Sequence, residues 1–248
     1  MLSGRLAVIT GATGGIGLET ARKFVERGAT VLLCSRKLVR AEKAAGEIGS
    51  GAIAEQLDIT SSDSVRRFVA KVSRKYRGLD VLVNNAGYPF DRKIWYKEFH
   101  RVSDDEMRRV ANVDFMGTVR ISQACIPLMM KRGGAIISIS STPAIAGHTE
   151  GAPYTLAKSA IIAMTKHIAL EYGRKNIRAF VLALGNIATE ATFNSMTPSE
   201  REKAANENAM KRWGHPKEIA NVIANLASDD FAFATGNTII VDGGTVLR

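Results

Sequence analysis

Seven short aliphatic runs recur along the chain: Leu6 to Thr10, Thr30 to Cys34, Ala52 to Leu57, Val81 to Asn84, Ala135 to Ser140, Ile177 to Ala183 and Thr238 to Val241. They read as continuous Val, Ile and Leu rather than as alternating apolar and polar positions. A strand of that kind is buried on both faces, which is the condition of a parallel sheet covered by helices on each side. Helix-period stretches supply the cover, near Gly17 to Glu26, Val39 to Ile48, Asp63 to Tyr76, Asp104 to Lys131, Pro153 to Tyr172 and Pro216 to Ala227. The pattern predicts an α/β fold over residues 1–248: one domain with a doubly wound, seven-stranded parallel sheet and helices on both faces. No repeat, low-complexity tract or Pro/Ser-rich linker marks a boundary within it.

With 46% hydrophobic and 23% charged residues the chain reads as soluble and globular. The opening apolar stretch, Leu6-Ala7-Val8-Ile9, is too short for a signal-peptide core, and no run reaches membrane-spanning length, so a cytoplasmic protein without a membrane partner is expected. Cys34 and Cys125 lack His or Cys neighbours at metal spacing and read as reduced, buried small hydrophobes, with no metal site expected. The net charge of +10 raises nucleic acid as a partner. The basic residues, among them Arg22, Lys23, Arg66, Arg67, Lys71 and Arg108, are scattered over helical faces that also carry acids. That distribution points away from nucleic acid and toward small phosphate-bearing molecules.

The octapeptide Thr10-Gly11-Ala12-Thr13-Gly14-Gly15-Ile16-Gly17 follows the first strand and opens the first helix. Glycines there let the backbone turn tightly and approach a pyrophosphate, whose charge sits on the free N–H groups of a helix N-terminus. A glycine-rich turn alone is a weak signal; its place after strand one of a parallel sheet makes it a dinucleotide candidate. An acid at the end of the second strand would bind the ribose hydroxyls of NAD, but the chain has Cys34-Ser35-Arg36-Lys37. Ser35 can bond a 2′-phosphate and Arg36 can neutralise it, so NADP(H) is favoured over NAD(H).

Tyr154 and Lys158 stand four apart, so a helix places phenol and ammonium on one face. A fixed cation favours the phenolate, as proton exchange at a carbonyl or alcohol requires. Such pairs are also common on solvated helix faces, and only their context gives them weight. Two segments break the strand–helix alternation: the long, aromatic and basic Tyr88 to Val102, and the polar Ile187 to Trp213. Both follow strands, where open α/β sheets place ligands, so 88–102 is read as a substrate loop and 187–213 as a lid.

In order and spacing, a set of residues is similar to the classical short-chain dehydrogenase/reductase family across nearly the whole chain. It comprises Thr10-Gly11-x-x-x-Gly15-x-Gly17, Asp58-Ile59, Asn84-Asn85-Ala86-Gly87, Asn112, Ser141, Tyr154-x-x-x-Lys158, Gly185-Asn186-Ile187-x-Thr189 and Val241-Asp242-Gly243-Gly244. The resemblance implies a Rossmann-type fold in which Tyr154 gives a proton to the carbonyl oxygen while the dinucleotide gives hydride to the carbon. It further implies that Lys158 holds the nicotinamide ribose, that Ser141 donates a hydrogen bond to the same oxygen, and that Asn112 anchors a water of the proton relay. The thirteen-residue spacing from Ser141 to Tyr154 selects that serine over Ser140. For the cofactor the resemblance implies Gly11, Thr13, Gly14, Gly15, Ile16 and Gly17 at the phosphates, Asp58 and Ile59 at the adenine, and Asn85, Ala86 and Gly87 beside the adenosine ribose. Gly185, Ile187 and Thr189 fall at the carboxamide end. The chain departs from the family pattern at Leu184, where a proline is usual, at Phe180, where an asparagine is common, and at Gly14, often basic in NADP enzymes.

Within the family the 3-oxoacyl-carrier-protein reductases sound closest. Arg132 and Lys175 fall where those enzymes carry basic residues beside the cleft for the acidic carrier, although both also suit helix C-termini. The longer aromatic segment at 88–102 keeps sugar, polyol and steroid-like alcohols open. The expected substrate is therefore a carbonyl or alcohol, with 3-oxoacyl thioesters leading, a sugar or polyol second, and a dinucleotide sensor without turnover third. Ala157, Ala160, Ile161, Ile162, Ala163, Met164, Ile168, Ala169 and Leu170 make the helix after Tyr154 apolar around most of its circumference, which predicts a homo-oligomer. The resemblance implies a tetramer.

Overall fold

The computed structural model describes residues 1–247. Seven strands, β1 (Leu6–Thr10), β2 (Thr30–Ser35), β3 (Ala52–Gln56), β4 (Val81–Asn84), β5 (Gly134–Ser141), β6 (Ile177–Leu184) and β7 (Thr238–Val241), form one sheet in the order β3-β2-β1-β4-β5-β6-β7. Every neighbouring pair is parallel. The order reverses direction between β1 and β4, which makes the crevice at their C-terminal ends the topological switch point.

Because strand side chains alternate, each aliphatic run feeds two cores. Ile9, Leu33, Val83 and Phe180 pack with Phe24 of α1 (Gly15–Glu26), Ala44 of α2 (Leu38–Ile48) and Ile223 of α11 (Pro216–Leu226). On the other face Val8, Leu32, Leu82 and Ile136 pack with Phe68 of α3 (Ser62–Lys75), Ile121 and Met129 of α6 (Thr118–Met129), and Ile168 of α8 (Ala152–Tyr172). Both faces are closed by helices, so the fold is a single Rossmann-type domain. Cys34 and Cys125 are free and lie in the second core, where burial pushes the Cys125 thiol up to about 12 and the Cys34 thiol well above its ordinary value. Among the described residues no helix is long and apolar enough to cross a membrane.

The helix predicted over Asp104 to Lys131 is interrupted. α5 (Asp104–Ala111) is fixed at its start by a capping box between Ser103 and Glu106, and a π-helical turn at Asn112–Gly117 separates it from α6. The two irregular segments also gain structure: α4 (Arg92–Trp95) and a 3₁₀ turn at Phe99–Arg101 in the first, α9 (Glu190–Phe193) and α10 (Pro198–Asn206) in the second. A short α7 (Pro143–Ala146) lies between β5 and α8.

The opposite, N-terminal edge of the sheet is tied by Asp80. Its Oδ2 accepts the Leu6 N–H at 2.8 Å and its Oδ1 pairs with Arg132 Nη2 at 3.2 Å. Arg132 precedes β5 and Lys175 precedes β6, so both stand at the edge away from the strand C-termini and do not flank this chain's own cleft. Removing the carboxylate leaves the buried Leu6 N–H unpaired, a loss of about 1–3 kcal/mol. Asp80→Ala should lower the unfolding free energy by that amount, read as a lower urea midpoint with the m-value unchanged. An unaltered midpoint would show that the bond contributes nothing to stability.

Candidate active site

The C-terminal ends of β1, β4, β5 and β6 converge on one crevice. The turn after β1 requires its glycines for different reasons. Gly11 and Gly15 sit at φ +64° and +51°, which favour glycine. A Cβ on Gly11 would stand 2.9 Å from Ala86 Cα, and one on Gly17 2.5 Å from both Asn85 Nδ2 and the Gly11 carbonyl. Gly14 is extended at the head of α1, receives no side-chain cap, and a Cβ there would meet nothing within 4 Å. The first N–H groups of α1 therefore open on a smooth, uncapped cradle, and the residues present fit a bound pyrophosphate.

Thr10 locks this turn to the one after β4. Its Oγ1 accepts the N–H groups of Asn85 at 3.0 Å and Ala86 at 3.1 Å and donates to Val83 O at 3.3 Å. Asn85 Nδ2 returns bonds to the carbonyls of Thr10 and Gly11 at 3.1 and 3.0 Å. Beneath it Asn84 is buried, its Nδ2 donating to Ser122 and Ser138. Asp58 Oδ1 accepts from the Thr60 N–H and hydroxyl at 2.9 and 2.7 Å, while Ile59 packs where a Cβ on Gly117 would fall. Ser35 is half-buried at the end of β2 with its Oγ accepting the Lys37 N–H; Arg36 is exposed, and among the described residues its guanidinium has no ion pair. At the far side Thr189 caps α9 and its Cγ2 lies 3.2 Å from a Cβ position on Gly15, so the start of the 187–213 segment reaches over the glycine turn. Ile187 is held by a bridge to Gly214, and Gly185 lies so close to Asp242 that a Cβ would stand 2.7 Å from its Cβ.

Proline at Pro153 and a left-handed Gly151 start α8, which puts Tyr154 on its first turn and Lys158 one turn later. Two bonds dock this helix on the end of β5: Ser140 Oγ donates to Lys158 O at 2.9 Å, and Lys158 Nζ donates to Ile139 O at 3.2 Å. The Lys158 ammonium lies 5.4 Å from the centroid of the Tyr154 ring and is only 5% exposed. Ser140 is thus spent on helix docking. Ser141, half-buried at the strand end, has its Oγ toward Leu184 O at 3.2 Å, where a carbonyl-sized ligand can compete for the hydroxyl. Asn112 opens the π-helical turn and, among the described residues, makes no side-chain hydrogen bond to the other three.

Three contributors are not singled out as site residues in the sequence: Trp95 and Arg92 are expected only as part of the 88–102 segment, and Asp114 not at all. Trp95 of α4 lies 5.6 Å from Tyr154, His148 and Phe90 between ring centroids, and donates from Nε1 to Glu150 Oε2 at 3.0 Å. Gly151 is required beneath it, because a Cβ would stand 2.6 Å from the indole. Arg92 bonds Glu200 at 2.8 Å, joining the 88–102 segment to α10; Arg92, then the Thr197 amide, hold the Glu200 carboxyl down at about 2. Asp114, fully buried on the π-helical turn, is the third. The aromatic bias of 88–102 signals Trp95 as a loop residue, but nothing in the local sequence signals its partner.

A family model described as enoyl-(acyl carrier protein) reductase matches residues 11–246. A solved structure titled as a short chain dehydrogenase/reductase family protein superposes with a TM-score of 0.88 at 32% identity, over 98% of this chain and 97% of the other. The chain belongs to the short-chain dehydrogenase/reductase family. It is accordingly an oxidoreductase of the kind that acts on ketones and alcohols, and the family binds a nicotinamide dinucleotide. Among characterised relatives, a 3-oxoacyl-[acyl-carrier-protein] reductase of Thermotoga maritima is 35% identical over 99% of both chains. A 7alpha-hydroxysteroid dehydrogenase of Bacteroides fragilis is 32% identical over 98% of this chain and 95% of its own. Relatives of such different substrates at nearly equal identity place this dehydrogenase/reductase in its family without fixing its substrate.

Proposed function

We propose that the chain interconverts a ketone and a secondary alcohol with NADP(H), with a 3-oxoacyl thioester, free or on an acyl carrier, as leading substrate. The observation that carries this reading is Tyr154 on the first turn of α8, its ring beside the buried Lys158 ammonium and next to the strand end that bears Ser141. In the direction of reduction a bound dinucleotide would supply the hydride for the carbonyl carbon. Tyr154 gives its phenolic proton to the oxygen, and Ser141 donates a hydrogen bond there as charge develops. Lys158 compensates the phenolate left behind, and the Asn112 amide holds the water through which its proton returns.

The glycine turn from Gly11 to Gly17, with Thr13, Gly14, Gly15 and Ile16, takes the pyrophosphate at the head of α1. Asp58 and Ile59 take the adenine, and Asn85 to Gly87 the adenosine ribose. Gly185, Ile187 and Thr189 take the carboxamide. Ser35 and the exposed Arg36 favour a 2′-phosphate, since the guanidinium at that strand end has a charge-assisted bond to offer. Residues 88–102 act as substrate wall and 187–213 as lid, joined by Arg92 and Glu200.

The similarity to the Thermotoga reductase supports the thioester. The Trp95 wall against Tyr154 favours a second reading, a compact sugar or polyol, because it narrows the space over the phenol. Exposed Leu156 (53%) and Leu170 (87%) on α8, with Met116 in the π-helical turn before α6 and Met130 just after it, support assembly as a homotetramer through these helices.

Tyr154→Phe should lower turnover of acetoacetyl thioester with NADPH by about 10²–10⁴-fold and Ser141→Ala by about 10²-fold, measured as initial rates. Full turnover by Tyr154→Phe would sink the catalytic assignment, and preference for polyols across a panel run in both directions would install the second reading. Arg36→Leu should raise the Kd for NADPH by about tenfold or more while leaving that for NADH unchanged; equal effects on both would remove the NADP preference. Sedimentation at micromolar concentration should show a tetramer, and a monomer would contradict the assembly.

A further inference from the structure

Asp114 is a carboxylate with no exposed surface, two residues after Asn112 on the π-helical turn. Its Oδ1 accepts the Tyr88 N–H at 2.7 Å and lies 3.7 Å from Lys158 Nζ. Its Oδ2 is buried and, among the described residues, has no hydrogen-bond partner. Gly87 is matched to it, since a Cβ at that position would stand 2.9 Å from Asp114 Oδ1 and 3.8 Å from Lys158 Nζ. Lys158 is therefore held by three groups from three elements: the Asp114 carboxylate, the Ile139 carbonyl and the Tyr154 ring.

A neutral acceptor would satisfy the Tyr88 amide. Burying a charge costs far more than burying an amide or hydroxyl, and it persists where a counter-charge meets it. The counter-charge here is Lys158, itself almost wholly buried. Asp114 lies within the π-helical turn Asn112–Gly117, a rare local geometry that is frequent at functional sites.

We infer that Asp114 is a positioning residue: it holds the Lys158 ammonium in place for the dinucleotide ribose and, through Tyr88, ties that lysine to the start of the substrate loop. This rests on the proposed function for its effect on turnover, whereas its effect on dinucleotide binding does not need any carbonyl to be the substrate. The carboxylate supplies charge and direction to a neighbour, and makes no bond to the reacting atoms.

The test is a double-mutant cycle in the full chain, with NADPH affinity read by fluorescence and turnover read separately. Asp114→Asn keeps an oxygen for the Tyr88 N–H and removes the charge. It should weaken NADPH binding by about tenfold and lower kcat comparably, with the KM for the carbonyl substrate within about twofold of the parent. In a Lys158→Met background the same change should move the NADPH Kd by less than about twofold, because the group it acts through is gone. An equal loss in both backgrounds would assign Asp114 to the fold alone, and no loss, or tighter binding, in the parent background would overturn the inference. If Asp114→Asn does not fold, Asp114→Ser takes its place in the cycle with the same outcomes. Absence of turnover on every carbonyl with the binding cycle intact would defeat the proposed function and leave the role of Asp114 standing.

Discussion

The parallel register of the sheet is the constraint from which the rest of the molecule follows. Parallel strands need crossovers, crossovers place helices on both faces, and both faces must then be apolar, which is why Ile9 and Val8 serve different cores from adjacent positions. The same register brings the C-termini of β1, β4, β5 and β6 to one edge. Thr10, Asn84 and Ser141 are strand-end residues of that edge, and the hydrogen bonds of Thr10 to Asn85 and Ala86 fasten two of its turns together. No single motif builds the crevice; the sheet does, and the motifs line it.

Legibility in the sequence tracked the range of the interaction that fixed each feature. The strands are set by local composition, and their cores agree with the continuous runs to within a residue or two at each end. The glycine turn was legible because φ values near +50° to +65° demand glycine locally. The pair Tyr154 and Lys158 was legible because helix geometry alone brings them to one face. The break at Asn112 was not, since no proline or glycine precedes it, and the turn ends at Gly117, whose missing Cβ makes room for Ile59 from another crossover. The aromatic character of 88–102 was legible, but the seat of Trp95 was not, for the same reason: Glu150 and Gly151, which fix the indole, lie 55 residues or more away in sequence.

Ser140 and Ser141 show how a spacing and a structure answer different questions. Adjacent strand residues point to opposite sides, so only one of the two can face α8 backbone and only one can face the crevice. The family spacing selects Ser141, and the hydrogen bond from Ser140 to Lys158 O gives the physical counterpart of that choice. Ser140 anchors the helix whose lysine and tyrosine Ser141 accompanies. The basic residues Arg132 and Lys175 show the reverse case. Their positions resemble a carrier-binding pair, but the direction of β5 and β6 carries them to the far edge of this chain, where Arg132 is engaged by Asp80.

The crevice holds a cluster of buried polar groups. Asn84, Asp114, Ser138, Ser140 and Lys158 are all buried within it, and each unpaired group there would cost stability comparable to a lost hydrogen bond. Most are matched in place: Asn84 by two serines, Ser140 and Lys158 by backbone carbonyls. The Asn84 and Asp114 oxygens that lack partners among the described residues lie near the turns that line the crevice. A polar cluster of this kind is stable only if the surrounding sheet and helices are rigid enough to hold it, and that rigidity is what the two aliphatic cores provide. Stability is thus generated in the layers above and below the sheet and drawn on at its C-terminal edge, so substitutions that loosen a core should be felt first as loss of order around Lys158.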